Sequence, residues 1–209
     1  MRSSKSTEVL KTSPKDILRA ARVLRSGGLV AFPTETVYGL GADMTDKGAV
    51  RRLYRVKKRP LSKPFAVMIA DRKMVGRMGC RFTGEARALT DKLWPGPLTV
   101  ILEGNGGKKT GFRMPDHVVA LKLLKEAKVP LAVPSANLSG NPPPRSAGDV
   151  LRDLDGKIGL VLDGGRTNIG VESTVIDMTV TPPRILREGA ISRREIENIL
   201  AHSKPRRNG

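Results

Sequence analysis

The sequence predicts an α/β domain built on a mixed sheet with flanking helices. Three observations predict it. Short apolar runs of strand length are separated by segments whose apolar residues recur at helical spacing. Several of these runs follow one another without an intervening helix, so parallel and antiparallel pairing must coexist. Hydrophobic residues make up 39% of 209 residues, enough for one sizeable core.

The first helix is predicted over residues 14–26. Ser13 and Asp16 stand at capping-box spacing, Pro14 suits the first helical turn, and Gly27-Gly28 ends it. Ile17, Leu18, Ala21 and Leu24 share one face. A buried strand over 29–32 follows. Further strands are predicted at 65–70, 98–102, 131–133, 159–162, 171–177 and 184–186. Helices are predicted at 47–56, 72–78, 85–93, 116–128, 147–154 and 193–201, with Asp71, Ser146 and Ser192 as N-caps. Residues 104–111 read as an exposed loop. Residues 202–209 read as a basic disordered tail, which leaves 14–200 as the domain.

Lys and Arg number 38 against 20 Asp and Glu, a net charge of +18. That balance favours anionic partners such as nucleotide phosphates or RNA. Aromatics are 3%, too few for a base-stacking platform. Cys80 is the lone cysteine, which excludes an internal disulfide and a thiolate metal cluster. The first residues show no signal-peptide pattern and no apolar stretch is long enough to span a bilayer, so a cytoplasmic protein with no membrane partner is expected.

Five stretches carry polar chemistry. Phe32-Pro-Thr-Glu-Thr-Val-Tyr-Gly-Leu-Gly41 leaves a buried strand directly, where α/β proteins place ligand loops; its hydroxyls suit a small polar ligand or a well-ordered turn. Residues 51–63 hold Arg51, Arg52, Arg55, Lys57, Lys58, Arg59 and Lys63 without one acidic residue. A helix C-terminus favours two or three of these cations; the rest fit a polyanion opposite or a solvated face. Pro134-Ser-Ala-Asn-Leu-Ser-Gly-Asn-Pro-Pro-Pro144 sets Ser135 and Asn137 at the end of an apolar strand. Asp163-Gly-Gly-Arg-Thr-Asn-Ile-Gly-Val-Glu-Ser-Thr174 brings Ser173 into another strand, and Arg187 ends a third. Other signals fail: Gly104-Asn-Gly-Gly-Lys-Lys-Thr110 lacks phosphate-loop spacing, and His117 and His202 lack partners at metal-ligand spacing.

Taken together the motifs resemble the YrdC/TsaC-type threonylcarbamoyl-adenylate synthases in their single-domain form. The residues that carry this are Gly28-Leu-Val-Ala-Phe-Pro-Thr-Glu-Thr-Val-Tyr-Gly-Leu-Gly41, Lys57-Lys-Arg-Pro60, Trp94-Pro-Gly-Pro-Leu-Thr99, Arg113-Met-Pro-Asp-His117, Pro134-Ser-Ala-Asn137, Gly170-Val-Glu-Ser-Thr174 and Arg187. All seven occur in the family's order over residues 14–200. The resemblance implies a twisted, mixed parallel/antiparallel sheet enclosing a large basic concave cavity. It implies a nucleotidyltransferase that makes threonylcarbamoyl-AMP and pyrophosphate from L-threonine, bicarbonate and ATP with Mg2+. That product serves tRNA threonylcarbamoyladenosine modification by a downstream threonylcarbamoyl transferase complex.

By the same resemblance Thr34, Arg113 and Ser173 hold threonine, with Arg113 on its carboxylate. Lys57 and Arg59 face phosphates and carry catalysis. Ser62, Ser135, Asn137 and Arg187 complete the ATP site with them, and no protein metal ligand is implied. Met68 stands where many members have a histidine that helps enclose threonine, and methionine cannot replace its hydrogen bond. A second reading is a double-stranded RNA or tRNA binder using the basic concave surface. A third, a carbamoyl-transfer module, lacks the acylphosphatase and zinc-finger segments that accompany such domains.

Overall fold

A computed structural model of the chain describes residues 6–203. Among them are ten strands: β1 (Glu8–Leu10), β2 (Val30–Phe32), β3 (Gly39–Asp43), β4 (Val67–Met68), β5 (Leu98–Glu103), β6 (Lys109–Arg113), β7 (Leu131–Ala132), β8 (Leu160–Leu162), β9 (Thr174–Asp177) and β10 (Arg184–Arg187). Seven α-helices accompany them: α1 (Pro14–Arg25), α2 (Lys47–Lys57), α3 (Lys73–Arg77), α4 (Gly84–Leu93), α5 (Val118–Ala127), α6 (Ala147–Leu154) and α7 (Arg193–Ser203). The strands run in the order β1-β8-β2-β3-β7-β4-β6-β5-β9-β10. Pairing is parallel for β1–β8, β2–β8, β4–β6 and β5–β9 and antiparallel for the other five neighbours. The sheet is mixed, as predicted.

The caps expected at Ser13, Ser146 and Ser192 form, whereas α3 starts one residue later than expected, with Arg72 at its N-cap and no side-chain cap, and Asp71 accepts from Lys73 N in the turn before it. Ser13 accepts from Asp16 N and Ser146 from Asp149 N, satisfying amides that a helix start leaves without partners. Three strands depart from the prediction. β1 is a short edge element. β3 carries two glycines, and a Cβ on Gly39 would lie 2.6 Å from Val133 Cγ1, so close packing explains the missing side chain. β6 occupies part of the predicted 104–111 loop: β5 and β6 form a hairpin, with Val100 opposite Phe112 and Leu102 opposite Thr110. The C-terminal helix also exceeds its expected end, because His202 Nδ1 lies 2.6 Å from Asn198 O and Ser203 Oγ donates to Leu200 O. The rest of the expected tail, 204–209, lies outside the described residues.

Apolar side chains gather in three clusters. One sits beneath β5, β6 and β9 with α4 and α7, around Trp94, Val100, Phe112, Ile176 and Ile196. A second packs α1 and α5 on β2 and β7 through Leu24, Phe32, Leu123 and Leu131. The third places α2 and α6 against the first half of the sheet through Tyr38, Leu53, Val150 and Val161. No helix among the described residues is long and apolar enough to cross a membrane.

Candidate active site

Side chains on a strand alternate between faces, and here the alternation separates core from site. In β5, Leu98, Val100 and Leu102 enter the core while Thr99 and Ile101 line a cavity. In β6 the core residue is Phe112, while Gly111 and Arg113 face the cavity and, at the start of the strand, Lys109 and Thr110 both line it. Ile176 of β9 goes inward; Ser173, Val175 and Asp177 go to the cavity. The result is a cavity of about 530 Å³ spread over one face of the sheet. Its cations are Arg59, Lys108, Lys109, Arg113 and Arg187; its lining carboxylates are Glu172 and Asp177. Field lines from that excess favour anionic ligands.

The turn after β2 is tightly ordered. Thr34 Oγ1 donates to Val37 O at 2.7 Å and receives Thr36 N and Val37 N at 3.3 Å. A hydroxyl has one proton, so in the 2.9 Å contact between Thr34 and Thr36 the donor must be Thr36. Thr36 Oγ1 in turn accepts from Arg113 Nη2 at 2.8 Å, and the same nitrogen reaches Glu35 Oε1 at 2.8 Å. Burial pulls the Arg113 pKa below the usual guanidinium range, opposed by the Glu35 charge. Glu35 Oε2, Arg113 Nε and His117 Nδ1 are buried with no protein partner.

Across the sheet, Arg113 follows the Val100–Phe112 pair and so stands beside Thr99. Thr99 Oγ1 lies 2.9 Å from Ser173 Oγ. Arg187 closes the row: Nε and Nη2 donate to Ser173 O at 3.1 and 2.9 Å, and Nη1 meets Glu172 Oε2 at 2.8 Å. Arg113, Thr99, Ser173 and Arg187 therefore form one polar line across β6, β5, β9 and β10. Met68, 4% exposed, pairs in register with Arg113 and puts an apolar thioether in the cavity wall.

The nucleotide-side residues expected from sequence fall into two sets. Arg59 and Ser135 line the cavity. Arg59 is held by Lys63 O at 2.8 Å and lies 5.1 Å over the Phe65 ring. Lys57 differs from its expected placement facing phosphates. It is 2% exposed, and its ammonium donates to Ser135 O and to Asn137 O rather than pointing into the cavity. Burial, with Arg59 nearby, lowers its pKa to about 8. Asn137 also turns inward, its Nδ2 donating to Asn141 O at 2.6 Å; these two residues tie down the loop that presents Ser135. Ser62 is exposed in the 58–64 bend and does not line the cavity.

Glu35, Thr36, Thr99 and Glu172 fall within the motifs quoted from sequence but receive no site role there, and Lys109 and Asp177 receive none either, yet each lines the cavity or holds a residue that does. The available signal was strand alternation: Thr99 in Leu98-Thr-Val-Ile-Leu and Asp177 in Thr174-Val-Ile-Asp are polar residues on the face opposite the core. Among the described residues no group of three or more His, Cys, Asp or Glu could hold a metal ion.

Comparison with known proteins agrees with this architecture. The Sua5/YciO/YrdC family, whose description reads "Telomere recombination", matches residues 22–189. The threonylcarbamoyl-AMP synthase of Pyrococcus abyssi is 46% identical over 87% of this chain and 56% of its own length. That of Bacillus subtilis is 43% identical over 93% of this chain and 59% of its own. The chain thus spans less than two thirds of these relatives. The crystal structure of P. abyssi Sua5 complexed with L-threonine superposes with a TM-score of 0.87 at 42% identity, covering 92% of this chain and 59% of that one. E. coli YciO superposes at 0.80 with 26% identity over 91% of this chain and 97% of that one. With motifs, sheet and cavity in agreement, the chain belongs to the Sua5/YciO/YrdC family.

Proposed function

We propose that the chain forms threonylcarbamoyl-AMP and pyrophosphate from L-threonine, bicarbonate and ATP, the activation step for tRNA threonylcarbamoyladenosine. The observation that carries this reading is the cavity itself. It gathers Thr34, Arg59, Arg113, Ser135, Ser173 and Arg187 from separate segments onto one surface. The names of the P. abyssi and B. subtilis relatives and the L-threonine bound to P. abyssi Sua5 support it.

In this reaction the threonine ammonium loses a proton, the free amine attacks the bicarbonate carbon, and water leaves to give a carbamate. A carbamate oxygen attacks the α-phosphorus of ATP, and pyrophosphate leaves with the bond electrons. Charge grows on phosphoryl oxygens, so catalysis is positioning and cationic stabilisation. Arg59 and Arg187 meet the phosphates, Arg113 and Ser173 the amino acid, and Ser135 the nucleotide. Lys57 and Asn137 hold the Ser135 loop. Mg2+ would arrive with ATP and supply charge neutralisation at its phosphates; among the described residues no cluster of three or more His, Cys, Asp or Glu stands ready to hold it.

The test is pyrophosphate release. It should require threonine, bicarbonate and ATP together; release that ignores threonine, or none at all, rejects the reading. The RNA-binding alternative was expected on the basic concave surface; the exposed Arg51, Arg55 and Lys58, on α2 and just after it, lie outside the cavity lining and offer it a second basic surface. Salt-sensitive retention of duplex RNA, lost on neutralising these three, would support it.

A further inference from the structure

The cavity contains a carboxylate that the proposed reaction has not used. We propose that Glu172 receives the α-ammonium group of the amino-acid substrate, completing a site for a zwitterion whose carboxylate goes to Arg113. This rests on the threonine-activating reading above.

An α-amino acid at neutral pH carries a cation within one bond of its carboxylated carbon. A purely cationic cavity would repel that end. The lining supplies two carboxylates, Glu172 and Asp177. Asp177 lies four residues beyond Ser173 along β9, about 13 Å at strand rise. It is also occupied, accepting from Thr179 N at 2.8 Å and Thr179 Oγ1 at 2.6 Å and facing Lys109 at 3.6 Å. Glu172 directly precedes Ser173, whose hydroxyl joins the row that ends on Arg113. Its pairing with Arg187 uses Oε2 alone, leaving Oε1 for a second cation.

The position of Glu172 is fixed by its backbone. Its carbonyl accepts Ala190 N at 3.0 Å, and Gly189 packs so closely that a Cβ there would meet Glu172 O at 2.2 Å. The backbone held this way sets the carboxylate next to Ser173 and Arg187, between the residues proposed for the amino acid and those proposed for the phosphates. The carboxylate draws the ammonium toward the Arg113 end and screens Arg187 until phosphate arrives.

The experiment compares binding of L-threonine and of its deamino analogue, 3-hydroxybutyrate of matching configuration, by calorimetry. The intact protein should prefer threonine by about tenfold or more, the scale of a charge-assisted contact. Glu172→Gln should erase most of that preference while ATP binding is unchanged or tighter, because Arg187 loses its counter-charge. A general structural role would weaken both ligands together. Glu172→Gln retaining the full preference overturns the proposal. Should that variant not fold, Glu172→Asp is measured, with a reduced preference expected and a full one contrary. An intact protein that binds both molecules equally overturns the ammonium site and leaves threonine activation standing. One that binds neither removes the substrate reading and the proposal with it.

Discussion

Arg113 and Glu35 form a buried ion pair, Nη2 to Oε1 at 2.8 Å, that joins the end of β6 to the turn after β2. Both side chains are about nine-tenths buried, at 7% and 10% exposure. Removing one partner strands the other charge, which costs about 3–5 kcal/mol in such pairs. Glu35→Ala should lower the unfolding free energy by an amount of that order in urea titration. The double variant with Arg113→Ala should cost less than the two single changes added.

Arg113 is also the guanidinium proposed for the threonine carboxylate. Arg113→Ala should therefore raise the threonine concentration needed for half-maximal pyrophosphate release more than the ATP concentration. Equal effects on the two would count against a carboxylate clamp.

Arg59 and Arg187 line the same cavity without being fully buried. If they stabilise phosphoryl charge, Arg59→Ala or Arg187→Ala should reduce turnover by about a hundredfold, as loss of a transition-state donor does. Turnover within a few-fold of normal, with the fold intact by circular dichroism, would assign them a surface role.

Lys57 gives a pH signature. Its pKa in the fold is about 8 against an ordinary 10.5, lowered chiefly by burial. Below pH 8 both folded and unfolded chains carry the proton and the burial cost is fully present. Between pH 8 and 10.5 the unfolded chain holds a proton that the native chain has released, so stability rises with pH there. Tyr38 acts oppositely, because burial raises its pKa from 10.0 to about 12 and stability falls across that interval. Denaturant titrations should show the first rise in the unaltered protein and a flatter profile in Lys57→Met.

Gly189 crosses hard against the Glu172–Ser173 backbone, where an added Cβ would lie 2.2 Å from Glu172 O and 2.7 Å from Ser173 C. Gly189→Ala should cost about 1–3 kcal/mol, as overpacking does. It should also lower pyrophosphate release, because it displaces the acceptors of Arg187. A thermal melt and the release assay on one preparation would test both effects.

Much of this arrangement was legible in the sequence. Helix caps such as Ser13 and Ser146 declare themselves by local spacing, and apolar strands such as β5 and β8 by composition. β3 and β6 did not, because Gly39-Leu-Gly-Ala-Asp and Lys109-Thr-Gly-Phe-Arg lack an apolar run; their partners across the sheet supply the order. The cavity cations were visible as residue types, and so were the hydroxyls of Thr34, Ser135 and Ser173. Their counter-charges were not. Glu35 and Glu172 acquire meaning only once folding sets them beside Arg113 and Arg187, and the inward turn of Lys57 depends on carbonyls about eighty positions away.

The alternation along β5, β6 and β9 ties the hydrophobic core to the binding surface. Thr99 and Val100 are sequence neighbours, one on the substrate side and one in the core. A single inserted residue would exchange their sides, sending a hydroxyl into the hydrophobic interior and a valine into the binding surface. The floor that greets the substrate is thus the outer skin of the hydrophobic interior and inherits its stiffness, so neither can drift in evolution without the other.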